Sequence, residues 1–256
     1  MLIAITREVS RSVIHCELTH LARSPIDVTR ARAQHEQYRS ALRSLGLEVV
    51  SLPEEPTLPD SVFVEDAAIV LDEVALLTRP GADSRKPEVE SIARTLEAYR
   101  PLLRVEAPAT LDGGDVLVAG RKIFVGQTLR TNASALEQMA TLLKPFDYEV
   151  IGVPVSECLH LKSGVTRVAE NLLLINPAWV DRKYFRGFEF IETDPSEPFA
   201  ANALSIGDAV IYPSAFEGTR ARLEAVTRRL VTVDADELAK AEGGVTCCSL
   251  VFSAQG

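Results

Sequence analysis

The stretch FVEDAAIVLDEVALLT, Phe63 to Thr78, decides the fold. Two apolar runs flank the turn pair Asp72-Glu73, which is the pattern of a β-hairpin. The pattern returns in DVLVAGRKIFVG (Asp115 to Gly126), VTRVAENLLLIN (Val165 to Asn176) and ALSIGDAVIYP (Ala203 to Pro213), with Gly-Arg, Glu-Asn and Gly-Asp at the turns. Around these hairpins, helical stretches alternate with short β-like segments. The segments are LEVVSLP (Leu47 to Pro53), LLRVEAP (Leu102 to Pro108), YEVIGVP (Tyr148 to Pro154), FEFIETD (Phe188 to Asp194) and LVTVDAD (Leu230 to Asp236). Three of these five end in proline, where ladder pairing must stop.

The helices before the segments carry their own start and stop signals. Ala31–Leu45 is closed by Gly46, Pro87–Tyr99 opens on proline, Ala133–Leu143 follows Asn132 as N-cap, and Arg220–Leu230 follows Thr219. Around Val180–Phe185 there is room for only one or two turns. A hairpin, helix and strand thus recur five times, about every 40 to 55 residues, the signature of a repeat architecture. One unit cannot bury its own apolar face, so five are expected to pack around a common centre. An α/β sandwich with a mixed sheet fits the same pattern. No composition break divides the chain, and residues 1–256 are expected to form one domain.

Composition narrows the function. A formal charge of −9 disfavours a nucleic-acid partner and suits a small cationic one. The N-terminus lacks a signal-peptide pattern and no apolar run is long enough to span a membrane, so a cytoplasmic protein without membrane contact is expected. In that compartment Cys16, Cys158, Cys247 and Cys248 read as thiols.

Polar residues stand at matching offsets ahead of the apolar strands: Asp60, Glu65 and Asp66, then Asp112 and Asp115, His160, Asn202, and Cys247. In a closed array these segments approach the axis. A thiol nucleophile needs an imidazole, and the imidazole a carboxylate to orient it. His35 lies within a helix and reads as solvated surface, while His15 and His20 fall in the irregular IHCELTH. His160 is therefore the best partner for a thiol, although a hydrogen-bonded core histidine is the alternative. Asp112, in LDGGD, is open to a plain turn role. Alternation in a strand turns Cys248 away from Cys247, and Gly243 and Gly244 are expected to let the backbone turn into that strand. Buried carboxylates call for a cation.

CELTHLARSPIDVTRARAQHEQY, LPDSVFVEDAAIV, TLDGGDVLVAGRKIFVGQTLRTN, LHLKSGVT and GGVTCCSLVF together resemble the dimethylarginine dimethylaminohydrolases, within the guanidine-modifying (pentein) superfamily. The resemblance covers essentially the whole chain. It implies a five-bladed α/β propeller with pseudo-fivefold ββαβ repeats and hydrolysis of Nω-methylated arginines to citrulline and a methylamine through a covalent cysteine adduct. By the same resemblance Cys247 is the nucleophile, His160 the general acid/base and Asp112 the residue orienting it, where some members carry glutamate. Asp60 and Asp66 match the carboxylates that grip the guanidinium, with Glu65 beside them. Arg85 and Arg130 match the arginines for the substrate carboxylate, Leu18 the lid, and Ala241 a carbonyl facing the substrate amine. No cofactor is implied, and zinc on Cys247 and His160 would act as an inhibitor. The partner implied is a small cationic guanidine, bound by a monomer or homodimer. Competing readings are an arginine deiminase, typically longer, and a non-catalytic protein of the same fold.

Overall fold

A computed structural model describes residues 1–254. The chain begins with β1 (Leu2–Arg7), α1 (Val28–Ser44) and β2 (Glu48–Leu52). Next come β3 (Ala68–Val70), β4 (Ala75–Leu77), α2 (Glu88–Leu96) and β5 (Leu102–Arg104), then β6 (Val116–Ala119), β7 (Lys122–Gln127), α3 (Ala133–Leu143) and β8 (Glu149–Pro154). A short α4 (Leu161–Gly164) precedes β9 (Val165–Ala169), β10 (Leu172–Ile175) and β11 (Glu189–Glu192). The last elements are β12 (Leu204–Ile206), β13 (Ala209–Pro213), α5 (Glu217–Glu224), β14 (Arg229–Val233), α6 (Asp236–Ala239) and β15 (Leu250–Ser253).

These strands form five three-stranded sheets of one topology. In each, the middle strand pairs antiparallel with one neighbour and parallel with the other. The first sheet is built from both ends of the described chain, with Leu2 opposite Ser253 and Ile5 opposite Leu250. The five sheets fit a five-repeat α/β fold.

Local chemistry explains the elements. Asp27 caps α1 by accepting from Thr29 and Arg30 N–H, and Asn132 caps α3 through Ala135 N–H. Gly46 ends α1 at φ +85°, a conformation that costs glycine little. The α5 region departs from expectation. That helix covers Glu217–Glu224 instead of running to Leu230, and β14 starts at Arg229, because Val231, Thr232 and Val233 prefer the extended ladder beside β13. The fourth unit has only a single 3-10 turn, Arg182–Tyr184, in place of a helix. His35 is also a correction: it is 3% exposed and stacks on Tyr38 under α1 instead of lying on the surface.

The segments leading into the first strand of each hairpin are turns, not the inner strands expected. Val64–Ala67 and Gly113–Asp115 are 3-10 helices, His160 caps α4, and Val245–Cys248 is a turn. Hydrogen bonds join them in a closed circuit. Gly114 N–H donates to Asp66 Oδ1 (2.8 Å), Leu161 N–H to Asp115 Oδ1 (2.9 Å), and Asn202 Nδ2 to Lys162 O (3.0 Å). Thr246 N–H donates to Asn202 Oδ1 (3.1 Å), and Glu65 N–H to Cys247 O (3.2 Å), which returns to the start. Buried polar groups at the centre are thus satisfied by the next unit around the circuit.

Candidate active site

Cys247 stands where this circuit closes. Its turn is fixed by Cys247 N–H to Gly244 O (3.2 Å), while Gly244 N–H points at Cys247 Sγ (3.3 Å). The two glycines before it serve space, since neither has a positive φ. A Cβ on Gly243 would lie 2.2 Å from Phe63 Cε1, and one on Gly244 2.5 Å from the Asn202 side chain. The left-handed residue of this loop is Glu242, at φ +60°. Cys248 is buried in the core under α1, and its thiol faces Gly244 O at 3.6 Å. Burial, with Glu65 and Asp66 nearby, pushes the Cys247 thiol up to about 12, so the resting group is a thiol.

The histidine is oriented on two sides. His160 Nε2 bonds Asp112 Oδ2 at 2.9 Å, and Asp112, fully buried, also accepts Gly81 N–H at 2.8 Å. Glycine at 114 makes room for the ring, because a Cβ there would lie 2.5 Å from His160 Nδ1 and 2.9 Å from Asp66 Oδ1. Gly113 is equally constrained, with Glu65 O 1.9 Å from a would-be Cβ. Asp115 holds the turn that carries His160: it accepts Leu161 N–H and the hydroxyls of Thr128 (2.7 Å) and Thr131 (2.6 Å). Burial alone would discharge His160, but Asp66 and the hydrogen-bonded Asp112 outweigh it and raise its pKa to about 9. The ring is therefore an acid at neutral pH.

The acidic residues divide into those that are engaged and one more open. Burial opposes ionisation of Asp66, yet His160, Arg85 and Gly114 N–H hold its carboxyl well below the usual range. Arg85 Nη1 meets Asp66 Oδ2 at 2.6 Å, and its Nε and Nη2 meet Glu88 at 3.2 and 2.9 Å. Two longer contacts, to Asp60 O (3.4 Å) and Phe63 O (3.3 Å), complete its set. Glu65 is turned to Lys162 (2.5 Å) and Thr246 (2.8 Å). Among the described residues the Asp60 carboxylate accepts only Glu17 N–H, at 3.0 Å, and its burial raises its pKa.

Two cavities meet at Cys247 and His160. The narrow one, of about 10 Å³, is lined by Asp60, Asp66, Arg85, Arg130 and Ala241 as well as by that pair. The broad one, of about 600 Å³, reaches outward past Phe199, Phe216 and Lys240. Three of the residues expected at the site stand back from the narrow cavity. Asp112 lies behind the imidazole, Glu65 faces Lys162, and Leu18 packs on the core. Arg130 spans Asp112 Oδ2 (3.5 Å) and Thr19 Oγ1 (3.1 Å). Among the described residues, Asp66, Asp112 and His160 bring donor atoms within 4.8 Å of one another, a geometry open to a metal ion, with Cys247 outside that group. The carboxylates there already serve Arg85, Gly114, Gly81 and His160, which a cation would have to displace.

Sequence reasoning did not single out Lys162, Thr246, Glu88 or Glu242. A signal existed for Glu88, an acidic residue three places beyond Arg85. No helix among the described residues is long and apolar enough to cross a membrane.

Known proteins resemble this chain over nearly its whole length. The family profile described as N,N dimethylarginine dimethylhydrolase, eukaryotic, matches residues 21–252. The N(G),N(G)-dimethylarginine dimethylaminohydrolase of Pseudomonas aeruginosa is 35% identical over 251 residues, covering 97% of this chain and 98% of that one. The Streptomyces coelicolor enzyme of the same name is 35% identical over 248 residues, covering 96% and 95%. A crystal structure of the Pseudomonas protein, a cysteine-to-serine mutant complexed with citrulline, superposes with a TM-score of 0.92 at 34% identity, covering 97% and 98%. The N-terminal domain of ArgZ, a cyanobacterial arginine dihydrolase, shares the fold, with a TM-score of 0.87 at 18% identity over 98% of each chain. The chain belongs to the dimethylarginine dimethylaminohydrolase family, hydrolases that act on carbon–nitrogen bonds of a guanidino group.

Proposed function

We propose that the protein hydrolyses Nω-methylated arginines, asymmetric dimethylarginine and monomethylarginine, to citrulline and a methylamine through a covalent thiouronium on Cys247. One observation carries the reading: His160, oriented by Asp112, stands with Cys247 at a cavity walled by buried carboxylates, whose charge favours a protonated ring. The closed circuit of five hydrogen-bonded turns supports a five-bladed α/β propeller with these groups at its axis.

The substrate guanidinium binds beside Asp60 and Asp66, with Glu65 behind them. A cation there opposes the carboxylates that hold the thiol protonated, so Cys247 loses its proton to solvent as substrate binds. The thiolate attacks the central guanidinium carbon, positioned by the walls. His160 gives its proton to the departing amine, and the carbon–nitrogen bond breaks. Neutral His160 then takes a proton from water, whose oxygen adds to the thiouronium carbon. Collapse expels the sulfur, which takes up the hydroxyl proton to restore the thiol, and leaves the ureido group. The sum is guanidinium plus water giving urea plus ammonium. Arg130 meets the substrate carboxylate, joined by Arg85 when it exchanges its long carbonyl contacts for that anion. Ala241 turns its carbonyl to the α-amine, and Leu18 lies in the segment that covers the site. No step requires a cofactor. Zinc, by taking His160, would inhibit.

The test is a ureido-product assay with asymmetric dimethylarginine, monomethylarginine and arginine supplied separately, with C247S protein as blank. Product from the methylated substrates alone is expected. Product chiefly from arginine would move the protein to the deiminase activity.

A further inference from the structure

The segment from Glu17 to Ser24 crosses the mouth of the site, and its main chain is held by one side chain above all. Glu242 Oε2 accepts Thr19 N–H at 2.8 Å, and Glu242 Oε1 accepts His20 N–H at 2.6 Å and Leu21 N–H at 2.8 Å. The remaining ties from the lid to the site side are single bonds. Glu17 N–H goes to Asp60, Ser84 Oγ to Glu17, and Arg130 to Thr19 Oγ1. Three consecutive amides on one carboxylate form a charge-assisted cluster stronger than any of these.

Glu242 holds a left-handed backbone, φ +60°, a conformation that glycine at this position would adopt freely. A side chain kept at a strained position points to that side chain as the reason. Glu242 also lines both cavities, so it stands at their boundary. Its loop runs directly into the turn of Cys247, whose sulfur faces Gly244 N–H.

We propose that Glu242 is the latch of the lid: its carboxylate holds residues 19–21 closed over the mouth of the site, where His20 and Leu21 line the broad cavity, and ties closure to the loop that presents Cys247. This rests on the reading of the two cavities at Cys247 as the substrate site. Glu242 is a positioning residue, since the bonds it makes are to the lid and not to reacting atoms.

The test combines hydrogen exchange with kinetics on the full chain. E242G keeps the backbone conformation and removes the carboxylate. Amides of Thr19, His20 and Leu21 are expected to exchange about tenfold faster or more, with the rest of the described chain unchanged. KM for asymmetric dimethylarginine should rise about tenfold, and the loss should fall on KM more than on kcat. E242Q offers one acceptor oxygen and turns an NH₂ toward a backbone donor, so it should behave like E242G. E242D keeps the charge and should restore part of the protection. Unchanged exchange at residues 19–21 in a folded E242G protein would overturn the latch, as would E242Q behaving like the unmodified protein. Exchange is read without substrate, so the latch stands or falls separately even if methylarginine turnover fails.

Discussion

The inner circuit and the lid use the same chemistry, hydrogen bonds from main-chain N–H to side-chain acceptors, yet they distribute it differently. In the circuit each of five turns is held by its neighbour, and the groups are buried. In the lid, three adjacent amides depend on Glu242, near solvent. A network satisfied from many sides fixes geometry, whereas a cluster on one carboxylate can be released in one event. On the proposed function, chemistry sits on the first and access on the second. Substitutions in the circuit should therefore act on kcat and substitutions at the latch on KM.

The strongest test of that division is the pair of adjacent cysteines. C247S should lower turnover by about 10⁴-fold or more, as loss of a nucleophile does. C248S, in the core, should stay within about twofold in a citrulline assay, and a large effect there would place chemistry on the wrong side chain. Next, G114A forces a Cβ toward His160 Nδ1, at a built distance of 2.5 Å. Displacing the ring should cost about 10²-fold in kcat with little change in lid exchange.

A finer test uses pH. His160 is raised from 6.5 to about 9 and the proposed mechanism uses it protonated, so kcat should fall as pH rises through that value. By linkage, its contribution to stability is full below 6.5 and disappears as pH climbs past 9. D112N removes the anion bonded to Nε2, and the basic limb should move down by about one unit or more. A limb that stays in place would assign it to another group. The smallest effect on turnover, and a control outside both regions, is His35. Burial and the nearby Arg39 push it down to about 4. The unfolded chain then takes a proton first, so stability falls between pH 6.5 and 4, by up to about 3 kcal/mol. H35L should flatten that loss in denaturant titrations and leave kcat alone.

The repeat was legible because hairpin turns and helix caps are local. Gly46, Asn132 and the Gly120-Arg121 and Gly207-Asp208 turns each act within a few residues, and all four hairpins lie where the sequence places them. What proved illegible is set by neighbours distant in sequence. Nothing near Gly243 announces Phe63, nor does anything near Gly114 announce the His160 ring. Helical periodicity put His35 in a helix, yet only the packing of α1 decides that it faces inward. The candidate site was named as a set of chemical types. That Arg85 braces Asp66 and that Lys162 occupies Glu65 depends on contacts made around the circuit.

The burial that pushes the Cys247 thiol up has a consequence for how the sulfur would meet reagents. Peroxides and most alkylating agents attack thiolates, so a sulfur kept as thiol until a cation arrives is a poor target for them. The resting enzyme should pass through an oxidising burst with its nucleophile intact. A reagent that carries a positive amidine would generate its own thiolate and react fast. On the proposed function, reactivity is then gated by the charge of whatever enters, with the acidic walls acting as a chemical shield.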